Sequence, residues 1–102
     1  MRRLGAFLTA LTLWIAACGG STTGLLGEEL YERSCSGCHQ GNGSGFGNIP
    51  PIGPGSNAVG LADEQISGVI RAGAGVMPSF GRLSDEQVDS LVDYVRELQG
   101  RS

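Results

Sequence analysis

The sequence predicts an all-α domain, and three observations carry that prediction. Apolar residues recur at helical spacing in stretches beginning near Glu28, Asp63 and Ser84. No segment alternates apolar and polar residues with period two, as a half-buried strand would. Between Gln40 and Gly60 lie seven glycines and three prolines, so neither a helix nor a central strand persists there. At 102 residues the chain has room for one domain.

The N-terminus stands apart from that domain. Met1-Arg2-Arg3 is a basic start, and Leu4–Ala17 is apolar apart from Gly5, Thr9 and Thr12. A bilayer core takes about 20 apolar residues, so this run is too short to cross it. It fits a secretory signal covering residues 1–17. The run ends in Ile15-Ala16-Ala17-Cys18-Gly19, which resembles a bacterial lipobox. The resemblance implies cleavage before Cys18 and a diacylglycerol thioether on its sulfur. The alternative is ordinary cleavage that leaves Cys18 as a stray thiol. Cleavage would remove Arg2 and Arg3 but no acid, leaving five arginines against ten carboxylates. That balance argues against nucleic acid as a partner. The sequence has no lysine from which to build a basic docking ring.

Residues 18–26 follow as the lipidated cysteine and a tether, in a Gly-, Ser- and Thr-rich stretch expected to be flexible. The domain is expected over residues 27–102. Its first helix is predicted from Glu28 to Cys38, with Leu30, Tyr31 and Ser34 on one face and two glutamates suiting the N-terminal end of the dipole. The second is predicted over Asp63–Arg71, capped by Asp63, with Ile66, Val69 and Ile70 buried and Gly73 and Gly75 ending it. The last is the best marked. Ser84 and Gln87 have capping-box spacing. Val88, Leu91, Val92, Val95 and Leu98 form its apolar stripe, and Gly100 stops it. Three short helices and a glycine-rich loop make a small core, and domains of this size usually need a staple.

Cys35-Ser36-Gly37-Cys38-His39 supplies a candidate. This C-x-x-C-H pattern is the signature of covalent haem attachment, in which each thiol adds to one vinyl group and the adjacent imidazole binds the iron. Export agrees with it, because such attachment happens outside the bacterial cytoplasm. Three rival readings fit less well. A thioredoxin-like dithiol needs a βαβ setting. A closed zinc shell needs four ligands, and the chain has one cysteine pair and one histidine here. A disulfide across two residues closes almost no loop. His39 is the sole histidine, and Met77 is the only methionine after signal removal. Met77 sits beside Pro78 on a glycine-bounded loop outside any helical stripe, so it is the candidate sixth ligand, the alternative being a core gap-filler.

With these residues in view, the sequence resembles class I cytochromes c of the short bacterial type over Gly27–Leu98. Gly27, Tyr31 and Tyr94 match the family's glycine and aromatic positions on its first and last helices. The resemblance implies a cytochrome c-like fold wrapped around one covalently attached haem c. It implies that the Pro50 carbonyl accepts the His39 N–H, although Ile49 stands where the family usually has glycine. It implies an electron carrier rather than an enzyme, a monomer meeting donor and acceptor proteins transiently. The lipid would hold it at the extracytoplasmic face of a bacterial membrane, periplasmic side or cell surface. Two alternatives stay open: a haem-based sensor or peroxidase-like protein with a displaceable Met77, and a fixed cytochrome subunit of a membrane oxidoreductase.

Overall fold

The computed structural model describes residues 21–100, so the expected signal segment and Cys18 lie outside the described residues. The described residues form four α-helices, in the order α1 (Gly27–Ser34), α2 (Ser36–His39), α3 (Asp63–Ala72) and α4 (Asp85–Leu98). A 3-10 turn, Asn57–Gly60, interrupts the long loop before α3. The described residues hold no strand, only two isolated bridges.

The predicted first helix is in fact two. It breaks at Cys35, whose φ of −120° and ψ of −37° leave helical geometry. The cause is local competition: Ser36 Oγ donates to the Glu32 carbonyl at 2.8 Å, taking the acceptor that the backbone would otherwise use. Cys35 therefore ends α1, and α2 carries Cys38 and His39. The start of α3 also differs from the prediction. Ala62 is the N-cap and Asp63 the first helical residue, and Gln65 closes the end by accepting from the Ala62 amide at 2.8 Å. Ile66 and Ile70 are buried as expected, but Val69 is 38% exposed because it faces a cleft rather than the core.

α4 begins as its sequence predicts. Ser84 Oγ accepts from the Gln87 amide and Gln87 Oε1 accepts from the Ser84 amide, both at 3.1 Å. Such a cap is worth about 1 kcal/mol. Val88, Leu91, Val92 and Val95 are buried along its inner face. They meet Leu30 and Tyr31 of α1 and Ile66 and Ile70 of α3, and together these residues form the core. Where α1 crosses α4, the Tyr31 and Tyr94 rings pack with centroids 5.1 Å apart at 53°. The Gly27 amide donates to Ser90 Oγ at 3.0 Å at the same crossing.

The far end of α4 is a polar tie. Arg96, its side chain 12% exposed, bonds Asp63 through Nε at 2.9 Å and through Nη2 at 2.8 Å. It also donates to the Ala58 and Leu61 carbonyls and to Gln99 Oε1. The buried Gln99 in turn donates to the Ile52 carbonyl at 3.0 Å. One guanidinium thus fastens the 3-10 turn, the start of α3 and the end of α4 together.

Candidate functional site

A cleft of about 510 Å³ opens between α1 and α2 on one side and α3 on the other. That volume falls in the range of small-molecule sites. Two loops form its walls, Gly45–Pro51 and Gly73–Ser79, and Leu91 and Val95 of α4 form part of its lining. No residue of the lining carries a formal charge at neutral pH apart from any on the His39 ring. From Gln40 to Ala62 and from Ala72 to Gly81 the sequence has no charged residue at all.

Five of the six site residues expected from sequence line this cleft: Cys35, Cys38, His39, Pro50 and Met77. The sixth, Cys18, lies outside the described residues. His39 Nδ1 is 3.2 Å from the Pro50 carbonyl oxygen. A carbonyl only accepts, so this bond puts the ring proton on Nδ1 and leaves the Nε2 lone pair free for a metal. Both thiols are free. Cys35 is half-buried, and burial, with a smaller contribution from Cys38, pushes its thiol up to about 11. Tyr31 donates its hydroxyl to the Gln40 carbonyl at 2.6 Å, fixing the chain directly after His39.

Rival chemistries find little support. No group of three or more His, Cys, Asp or Glu suited to a metal ion occurs among the described residues. The βαβ setting of a dithiol oxidoreductase is missing from them too, since they contain no strand. Two thiols, an imidazole nitrogen and a thioether around an apolar cleft are instead the donor set that a covalently held haem uses, so the residues fit that group. Three arginines lie outside the cleft lining: Arg71 pairs with Asp85 at 2.8 Å, and Arg33 donates to the Ser21 carbonyl at 3.3 Å. Arg82 is not part of the lining.

Sequence reasoning missed the two walls' common construction. Gly45-Phe-Gly-Asn-Ile-Pro50 and Gly73-Ala-Gly-Val-Met-Pro78 share one pattern, visible as a G-x-G-x-x-P repeat. The φ angles match, +78° and +56° at Gly45 and Gly47 against +77° and +56° at Gly73 and Gly75. Each turn is closed by a reciprocal pair of backbone bonds at 3.2 and 2.8 Å, Phe46 with Ile49 and Ala74 with Met77. Arg96, Gln99 and the Tyr31 hydroxyl were also missed, since no local pattern marks a side chain that bonds a distant carbonyl.

The comparisons with known proteins agree with this chemistry. The family model described as cytochrome C oxidase, cbb3-type, subunit III matches residues 23–95. Cytochrome c-551 of Bacillus subtilis is 30% identical over 105 residues, covering 86% of this chain and 88% of that protein. Cytochrome c6 of Bryopsis maxima is 29% identical over 75 residues, covering 69% of this chain and 85% of its own. Cytochrome c6 of Leptolyngbya boryana is 31% identical over 72 residues, with 68% and 85% covered.

Proposed function

The chain belongs to the monohaem cytochrome c family, and we propose that it carries single electrons with one haem c held by Cys35 and Cys38 and ligated by His39 and Met77. The relatives are electron carriers and not enzymes. The observation that carries the reading is the convergence of two thiols, a carbonyl-oriented imidazole and a thioether on one uncharged cleft. Bound there, a haem would supply an iron that accepts and returns one electron.

The chain's own residues supply the rest. The Pro50 carbonyl accepts from His39 Nδ1 and so fixes the orientation and tautomer of the ring. Met77 offers a soft sulfur, which favours ferrous iron and raises the potential relative to a second imidazole. Val69, Ile70, Leu91 and Val95 line the cleft with apolar side chains. With His39 and Met77 both holding the iron, the group would serve electron transfer and would offer no open site to a substrate.

An export signal over residues 1–17 and a lipid on Cys18 would put the domain at the outer face of a bacterial membrane, where it meets donor and acceptor proteins through a small transient contact. A Cys18→Ser chain is expected in the soluble fraction with an unaltered spectrum. The family model is described for an oxidase subunit, which favours a second reading as the fixed electron-input module of a membrane oxidase. Co-purification with such a complex in mild detergent separates the two.

The first test is an optical spectrum, oxidised, reduced, and reduced under CO. Low-spin bands, an iron–sulfur charge-transfer feature and indifference to CO are the expected result. Ready CO binding would remove Met77 from the iron and turn the reading toward ligand sensing or peroxide chemistry. A protein without haem bands, made in a host that attaches haem c, would overturn the proposal.

A further inference from the structure

Residues 21–26 have the composition of a loose tether, yet they are fastened to the domain. The Leu25 amide donates to the Thr22 carbonyl at 3.1 Å, closing a turn, and the Leu25 side chain packs against the core. Gln87 of α4 then binds both carbonyls of that turn, donating from Nε2 to Thr22 at 2.7 Å and to Leu25 at 3.1 Å. One turn further along α4, Ser90 takes the Gly27 amide. Gln87 does this while its Oε1 caps the same helix, so one side chain serves both the helix start and the segment crossing it.

We propose that Gln87 and Ser90 clamp Ser21–Leu26 to α4, so that only Gly19 and Gly20 separate a lipid on Cys18 from the folded domain. The leash in this statement rests on the proposed anchor; the clamp does not. Nine free residues reach about 30 Å when extended, whereas three reach about 10 Å. The domain would then be held against the bilayer near the start of α4, on the side where Arg33 of α1 donates to the Ser21 carbonyl at 3.3 Å. The tie around Arg96 lies about 14 Å further along α4, on the side away from the clamp. A domain held in this way delivers its electron to a partner whose docking face lies just above the same membrane, and is poorly placed to reach a soluble protein far from the surface.

Hydrogen exchange on the full-length haem protein tests the clamp. Gln87→Glu keeps an acceptor for the Ser84 amide but has no N–H to give. The Leu25 and Gly27 amides should exchange at least about a hundredfold slower than in a free peptide, and about tenfold faster in Gln87→Glu than in wild type. Ser90→Ala should release Gly27 in the same way. Free-peptide rates in wild type, or no change in either variant, overturn the clamp whatever the membrane does. The leash is tested on phosphatidylcholine vesicles carrying a headgroup dye that the haem quenches. Wild type should quench most. Gln87→Glu and a chain with six Gly/Ser residues inserted after Gly20 should both quench less. If only the insertion lowers quenching, the clamp does not set the distance. If wild type fails to bind the vesicles, the anchor falls and the leash with it, and the exchange rates alone decide the clamp.

Discussion

Gly45–Pro50 and Gly73–Pro78 face each other across the cleft as two copies of one turn. Their glycine φ angles agree within a degree and their bridging bonds have the same lengths. In each, a Cβ on the first glycine would meet backbone at 2.5 Å, the carbonyl oxygen of Ile49 in one and of Met77 in the other. What differs is the cargo. The first turn ends on Ile49-Pro50 and offers a carbonyl to His39; the second ends on Met77-Pro78 and offers a sulfur. The comparison teaches that scaffold and chemistry are separable here: glycines set where residues five and six of the turn stand, and those residues decide what each wall can bind.

Four predictions break or sharpen that comparison. Gly45→Ala and Gly73→Ala should each cost roughly 2–4 kcal/mol in denaturant unfolding of the haem protein, since a clash with backbone is added to an unfavourable φ. Gly47→Ala and Gly75→Ala, at φ +56° with open space around them, should cost only about 1–2 kcal/mol. Equal costs at all four positions would refute the shared construction. Exchanging the cargo comes next. Met77→Ile should open the iron to CO and lower the potential by on the order of 100 mV, a fraction of the ~0.8 V that axial ligands span. Ile49→Met should leave the spectrum as it is. A Met77→Ile protein with wild-type potential would end the ligand assignment.

The third prediction concerns the bond that ties down the His39 side. Burial, with help from Cys35 and Tyr94, pushes the Tyr31 hydroxyl from an ordinary 10 up to about 12. The neutral phenol is therefore favoured by the folded state. Its contribution is complete below pH 10 and is lost as pH rises toward 12. Tyr31→Phe should cost about 1 kcal/mol at neutral pH and flatten the fall of stability over that alkaline range. A wild-type slope in alkaline unfolding would rule out Tyr31 as its source. The smallest effect belongs to the opposite wall, where Ser79 Oγ donates to the Arg71 carbonyl at an exposed site. Ser79→Ala should cost at most about 0.5–1 kcal/mol by thermal unfolding, with no change in the visible spectrum.

Much of the fold was legible because its signals are local. The stripe and cap of α4, the buried face of α3 and the glycine stop at Gly73 each follow from a few adjacent residues. The cysteines, histidine and methionine were legible as chemistry because each is scarce in the chain. What stayed hidden is bonding at long range to backbone atoms. Gln87 reads as a cap, and nothing in its neighbourhood announces that it also reaches Thr22 and Leu25. The break at Cys35 turns on one serine hydroxyl competing for a carbonyl, which helical spacing does not register. Val69 was expected in the core because periodicity gives a helix face but not which of two apolar surroundings it meets.

The tie around Arg96 has a consequence for speed. Electron transfer is slowed when groups around the carrier must rearrange as its charge changes. Here the rim formed by Ala58 and Leu61 is bonded to α3 and α4 through one shielded guanidinium, and Ile52 is held by Gln99. With the proposed haem in the cleft, such a rim would keep its dipoles in place as the charge there alters by one, and the protein's share of the reorganisation energy would be small. Exchange in the proposed carrier would then stay fast with little driving force, as transfer between partners of similar potential requires.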